Sequence, residues 1–367
     1  MRKLLRYILL KPVLWLSNRF SSRPDRQRIF DALSGLLEAI LSGEKKKGLV
    51  VPFDIKSGKF IIFSDQHKGR RNGADDFMLC EPAYLEALEY YHQNGFHFIS
   101  LGDNEELWEN TLSSVCREHK PSYEKEKKFV PGNAFIKIFG NHDLYWANDP
   151  FAQLQLNKIY GYEVPIYEGV VLQTEVAGRR IDIFCTHGHQ GDAVSDGNWF
   201  SKFFVSRIWA PLQAFLKINP NTPAYNASLK TAHNTIMYEW STRQKDLLLV
   251  TGHTHQPVFE SLTHIERLYR QLLFARQVND EAMIRTLEHE IQVRKFQYNN
   301  VSETYLKMKP CYFNSGCCCL DNGTITGIEI SEGVMRLIQW KQGQSSIERL
   351  ILEETPLEEL QEGLTAE

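Results

Sequence analysis

Five short apolar runs in this chain each stop on residues able to bind a metal or move a proton. Ile61-Ile62-Phe63-Ser64 runs into Asp65-Gln66-His67, and Phe98-Ile99-Ser100-Leu101 into Gly102-Asp103. Phe135 to Phe139 leads into Gly140-Asn141-His142-Asp143, and Ile181 to Cys185 into Thr186-His187-Gly188-His189. Leu247 to Val250 leads into Gly252-His253-Thr254-His255. Short runs rich in Val, Ile and Phe are expected to be buried strands. Side chains just past the carboxyl ends of neighbouring strands converge on one crevice, where open α/β sheets bind ligands. The crevice expected here holds carboxylates, an Asn amide and several imidazoles. Such a donor set suits divalent transition metals such as Mn, Fe or Zn, and its size is read as room for two.

In order and spacing these elements resemble the calcineurin-like metallophosphoesterases, whose pattern is D-x-H, G-D, G-N-H-D/E, H-G and a closing G-H-x-H. The likeness extends over roughly residues 58 to 330. It implies one metal site of Asp65, His67, Asp103 and His255, and another of Asp103, Asn141, His187 and His253, with Asp103 shared. It also implies that a hydroxide bridging the metals is the nucleophile. Two metals about 3.5–4 Å apart lower the pKa of a bridging water and clamp phosphoryl oxygens. Asp103 and His142 are therefore the expected catalytic residues. His142 would protonate the leaving oxygen or stabilise charge growing on the phosphate. In the family's Thr-His-Gly-His type of loop the first His binds metal, so His189 is assigned to the ligands' surroundings or to substrate. Lys68, Arg70 and Arg71 follow Asp-x-His, and two readings stand: contacts to remote phosphate oxygens, or a solvated basic turn.

Gly102 to Trp108 lacks the Arg found in the G-D-x-x-D-R-G of protein serine/threonine phosphatases. It is more similar to the G-D-x-x-E-x-W of the UDP-2,3-diacylglucosamine pyrophosphohydrolases. Gly252 to Pro257 approaches their G-H-T-H-R-P, with Gln256 in place of Arg. That branch implies a lipid-linked or nucleotide-sugar substrate gripped by a helical lid. The chain departs from it at His142, where the branch often has Arg, at Gln256, and in an added stretch from Glu260 to Asn299. The expected activity is dinuclear, metal-dependent hydrolysis of a phosphoester or pyrophosphate on a phosphorylated small molecule or lipid. A serine/threonine protein phosphatase is the alternative within the family. A non-catalytic scaffold on the same fold is a reading of another class, opposed by the complete ligand set and by His142.

The elements that must position these residues follow from the punctuation between them. Glu81 to Gln93 carries Tyr84, Leu85, Leu88 and Tyr91 at helical spacing and ends at Asn94-Gly95, a helix stop. A helix between two strands makes the strands parallel with a right-handed crossover. Val170 to Glu175 and Arg180 to Cys185 are expected to pair as a hairpin through Ala177-Gly178. Cys311 to Leu320 and Thr324 to Ile330 are expected to form another across Asn322-Gly323, with Val334 to Trp340 as a further strand. The fold class is mixed α/β, and the resemblance implies two sheets packed face to face with helices outside.

This reading divides the chain into residues 1–57, a basic amphipathic helical segment with a linker at 42–48; 58–345, the catalytic domain; and 346–367, an acidic solvated tail. Residues 1–28 carry eight Arg and Lys against one Asp, interleaved with Leu, Ile and Trp15. The apolar run is too short to span a bilayer and has no cleavage site. Peripheral contact with an anionic membrane face and docking on the domain both fit it. Two insertions are expected. One, at 192–245, includes the apolar stretch Trp199 to Leu216, read as core or as a lid, and a second helix from Asn226 to Gln244. The other, at 260–299, is an antiparallel helical hairpin, read as a solvated arm or as a place for a protein partner. A net charge of −3 and pI near 6.5 exclude a general nucleic-acid binder. Seven scattered cysteines without a C-x-x-C pair are expected to be reduced and structural, as in a cytoplasmic protein. A zinc knot on Cys317-Cys318-Cys319 is the other reading.

Overall fold

The computed structural model of the chain describes residues 24–72, 75–191, 227–294 and 308–365. The greater part of the basic amphipathic segment and all of Trp199 to Leu216 fall outside the described residues. No helix among the described residues is long and apolar enough to cross a membrane.

Helix α1, Arg26–Leu41, begins where Asp25 accepts from the Arg28 amide at 2.9 Å. Ile29, Phe30, Leu33, Leu36, Leu37 and Ile40 recur at helical spacing along its buried face. β1, Gly48–Pro52, and β2, Lys59–Phe63, follow, then α2, Glu81–Gln93, and β3, His97–Leu101. α3, Leu112–Glu118, and α4, Lys120–Lys127, lead to β4, Phe135–Ile138. α5, Tyr145–Asn148, and α6, Ala152–Tyr160, lead to β5, Ile166–Tyr167. β6, Gly169–Val176, and β7, Arg179–Thr186, pair antiparallel as the expected hairpin. α7, Ala227–Ser241, precedes β8, Leu247–Thr251, and the short β9, Val258–Phe259, and β10, Leu262–Thr263. α8, His264–Gln277, and α9, Glu281–Arg294, form the expected helical hairpin. The chain closes with β11, Tyr312–Asn314, β12, Ile325–Ser331, β13, Val334–Gln342, β14, Ile347–Pro356, and α10, Leu357–Thr365.

The strands make two seven-stranded mixed sheets, ordered β14-β13-β12-β2-β3-β4-β5 and β1-β6-β7-β8-β11-β9-β10. Alternation sorts each strand between two layers. Phe60, Ile62, Ile99, Leu101, Ile136 and Ile138 of the first sheet meet Val170, Leu172, Ile183, Leu248 and Val250 of the second in a buried inter-sheet core. Ile61, Phe63 and Phe98 face outward onto α2 and its aromatic neighbours. Val171, Phe184 and Leu249 face outward onto α1 and α7. The result is the two-sheet sandwich with helices outside.

Three expectations are corrected. The acidic tail is not solvated: β14 pairs along β13, and α10 puts Leu357 and Leu360 into the inter-sheet core. Its charges belong to an edge strand, where they discourage pairing with another chain; Arg349, for instance, clasps Glu329 at 2.6 and 2.8 Å. Residues 24–57 are not separate either. α1 covers the second sheet, and β1 pairs in parallel with β6. Nor do Cys311 to Leu320 and Thr324 to Ile330 form a hairpin. β11 joins the second sheet beside β8, whereas β12 joins the first between β2 and β13. Asn322-Gly323 turns the chain after that crossing, not within one sheet.

Candidate metal centre

Each site residue stands where a strand has just ended. β2 gives Asp65 and His67, β3 gives Asp103, and β4 gives Asn141 and His142. β7 of the other sheet gives His187, and β8 gives His253 and His255. The backbone there is bent out of strand geometry. Asp65, His67, Asp103, His253 and His255 all have positive φ, between 48° and 68°. Side chains with a Cβ adopt this region at a cost of about 1–3 kcal/mol each, and such outliers cluster at functional sites. Cross-links hold the bends in place. The Asp65 amide donates to Gly102 O at 3.0 Å, and the His67 amide to Asp103 O at 2.9 Å. The His253 amide donates to the Asp65 carboxylate at 3.0 Å, and the His142 amide to Asp103 Oδ1 at 2.8 Å. Asp143 does not face the cluster; it accepts from the Gly140 and Asn104 amides at 2.5 and 2.8 Å. Gly140 is needed for close approach, because a Cβ there would lie 2.2 Å from Asp103 Oδ1.

Two donor groups result. His255 Nε2 lies 3.1 Å from both Asp65 Oδ1 and His67 Nε2. His187 Nε2 lies 3.1 Å from Asp103 Oδ2 and 3.3 Å from Asn141 Oδ1. Donor atoms of Asp103, His187 and His253 all lie within 4.8 Å of one another, and so do those of His67, Asp103 and His142. Asp103 stands between the groups, its Oδ2 being 3.7 Å from His67 Nε2. Among the described residues, His253 Nε2 is buried without a hydrogen-bond partner. Nitrogen lone pairs turned on one another around carboxylates, with a buried one unpartnered, fit divalent cations.

Electrostatics follow from this crowding. Burial pulls the imidazoles of His67 and His187 down, but neighbouring carboxylates more than reverse it. Glu106 and Asp103 lift His67 to about 10, and Asp103 and Asp65 lift His187 to about 9. Burial pushes the Glu106 carboxyl up, yet the His142 and His67 imidazoles hold it at about 2. His189, buried beside His187, is pulled down to about 3 by burial and by that neighbour's charge, and among the described residues its Nδ1 has no partner.

Of the basic residues after Asp-x-His, two are engaged elsewhere. Lys68 is fully buried and ion-paired with Glu126 at 2.6 Å. The Arg71 guanidinium bonds the Glu81 carboxylate and Glu118 O. Lys68, buried and paired, is neither a phosphate contact nor part of a solvated turn, which corrects both readings of it, whereas the Arg71 side chain stays exposed with those two partners. Arg70 is exposed. The cysteines are all free, as expected. The three consecutive ones make no knot of their own among the described residues. Only Cys319 reaches the centre, with Sγ 3.5 Å from His255 Nδ1.

Four residues around the ligands stand outside the expected ligand and catalytic set. Glu106 Oε2 lies 3.0 Å from His67 Nδ1 and 2.6 Å from His142 Nδ1, so both rings turn Nε2 outward. The Trp108 indole stacks on His142 at 4.2 Å and donates to Asn141 O at 2.7 Å. Both belong to Gly102-Asp103-x-x-Glu106-x-Trp108, so the pattern already marked them. His233, which meets Gly188 O at 2.8 Å and lies 5.1 Å from the His253 ring, sits on a helix without any motif. Cys319 likewise carried no ligand spacing.

Comparison with known proteins gives the following. A family model described as calcineurin-like phosphoesterase matches residues 58–257. A search of curated proteins finds no match. Among solved structures, vacuolar protein sorting 29 from Cryptosporidium parvum is similar at 11% identity and a TM-score of 0.35, over 82% of this chain and 99% of that one. A dimetal phosphatase from Danio rerio is similar at 8% identity and a TM-score of 0.32, over 81% of this chain and 100% of that one.

Proposed function

The chain belongs to the calcineurin-like phosphoesterase family, and from that premise we propose that it hydrolyses a phosphoester or pyrophosphate bond with two divalent cations as cofactors. The observation carrying this reading is the pair of donor groups sharing Asp103, with His142 beside both. Cations held by Asp65, His67, Asp103, Asn141, His187, His253 and His255 would supply Lewis-acid binding of phosphoryl oxygens and activation of a water. The chain's own residues position and protonate. His187 Nδ1 lies 2.9 Å from Leu101 O, which leaves Nε2 as its ligand atom. Glu106 holds His67 and His142 by their Nδ1 atoms, and Trp108 keeps the His142 ring from rotating. Burial lowers the His142 pKa, but the charges of Glu106 and Asp103 raise it above the ordinary value. In the proposed reaction His142 gives a proton from Nε2 to the leaving oxygen, and those two carboxylates favour the protonated form from which it starts.

The Gly102 to Trp108 likeness supports a lipid-linked or nucleotide-sugar substrate over a phosphoprotein. Chelation should abolish hydrolysis of an aryl phosphate, and Mn²⁺ should restore it. Asp103→Asn, which touches both donor groups, should lower activity by more than about 100-fold, beyond the usual effect of a residue that merely supports a ligand. Full activity in a protein shown to be metal-free would end this reading.

A further inference from the structure

A cavity of about 950 Å³ opens beside His142 and Trp108, away from the strand ends that supply the metal ligands. Its floor is the loop from Leu107 to Thr111, and its walls are α3, α4 and the stretch from Leu144 to Ile159. Three observations bear on what it takes. First, the apolar and aromatic side chains of Trp108, Leu112, Tyr145 and Ile159 face it, as in sites that hold rings or chains. Second, Lys120 at the start of α4 and Lys158 near the end of α6 both line it. Among the described residues neither forms an ion pair, and Glu124 is the one carboxylate of the lining. Third, the cavity reaches His142, a donor atom of which lies within 4.8 Å of those of His67 and Asp103. A group lying in the cavity is therefore next to a phosphoryl group held at the proposed centre.

We propose that this cavity is the leaving-group subsite, and that the favoured substrate is a phosphoester whose leaving alcohol has an apolar ring or chain body carrying a second anionic group. The inference rests on the phosphoesterase reading above and names the substrate class for it. In the step concerned, water adds its oxygen to phosphorus and the P–O bond to the alcohol breaks. The alcohol oxygen takes the His142 proton, and the proton released by water returns the imidazole to its starting state. The body of the alcohol lies against Trp108 and Leu112, and its distal anion lies between Lys120 and Lys158.

The test uses the full chain with Mn²⁺ and three esters: phenyl phosphate, 2-naphthyl phosphate and 6-carboxy-2-naphthyl phosphate. Binding of the freed alcohol, 6-hydroxy-2-naphthoate, is measured separately by calorimetry. We expect kcat/KM to rise along the series, with the carboxylate adding about tenfold, the scale of two partly exposed ion pairs. In the exposed double variant Lys120→Glu/Lys158→Glu, the ratio between carboxylated and neutral naphthyl esters should fall to about one, and 6-hydroxy-2-naphthoate should bind about tenfold more weakly. Equal kcat/KM for all three esters in an active enzyme overturns the subsite while leaving the phosphoesterase reading intact. If no ester is hydrolysed, the phosphoesterase reading fails, and calorimetry decides the subsite alone. Charge-sensitive binding of the alcohol then supports it, and absent or charge-insensitive binding overturns it.

Discussion

At the scale of single residues, Glu106 has the most consequence for its size. One carboxylate oxygen faces both His67 and His142, so in the proposed reaction a single side chain would aim both a metal ligand and the proton donor. Glu106→Gln keeps the shape and loses the charge. kcat should fall by about 10–100-fold, and the pH–rate profile should move in a set direction. If His142 acts as proposed, in its protonated form, activity is lost as pH rises through its pKa. Removing the charge that raises that pKa should shift the basic limb to lower pH. An unmoved limb would assign the proton transfer to another group. His142→Ala should cost about 10²–10⁴-fold in kcat while metal content, read by elemental analysis, stays at the wild-type level. Loss of metal in that variant would make His142 a ligand.

At the scale of elements, strands and loops are braced from behind by buried charge. Lys137 of β4 lies 3.1 Å from both oxygens of Glu105, in the loop that carries Asp103, and Trp146 donates to the same carboxylate at 2.7 Å. Lys68, next to His67, is held by Glu126, which also accepts from Tyr84 at 2.9 Å and Tyr160 at 2.7 Å. Lys137→Met leaves the Glu105 carboxylate buried without its counter-charge and should destabilise the fold by about 3–5 kcal/mol. Lys137→Met with Glu105→Leu should recover much of that, because a buried pair replaced by apolar groups is often tolerated. Denaturant midpoints of the three proteins check both. The strands ending on ligands were legible because each is an apolar run cut off by a polar pattern. β14 was not, since an edge strand wears charges and reads as a tail. The crossing from β11 to β12 was missed because Asn-Gly marks a turn without saying which sheet each side joins. The buried lysines were missed for a related reason: in sequence, a Lys beside a ligand looks like a phosphate contact, and only packing shows its carboxylate.

At the scale of the whole molecule, the centre lies on the seam between the sheets. The first sheet brings Asp65, His67, Asp103, Asn141 and His142, and the second brings His187, His253 and His255. Cations bound there would tie the two sheets together, so binding adds to the stability of the whole fold. Mn²⁺ at a hundred times its Kd should contribute about 2.7 kcal/mol and raise Tm by roughly 3–4 °C, and chelator should reverse the shift. An unchanged Tm in a protein shown to bind Mn²⁺ would mean that the unfolded chain binds as well. The left-handed backbone at Asp65, His67, Asp103, His253 and His255 has a consequence for ancestry. At each of these positions glycine relieves the bend, while the residue present keeps it under tension for the sake of a donor atom. A gene copy freed from catalytic duty would therefore find ligand loss favourable to its own folding, by up to about 1 kcal/mol at each position. Inactive descendants of such a chain should arise readily, keep the sandwich intact, and melt above their active parent in its metal-free form.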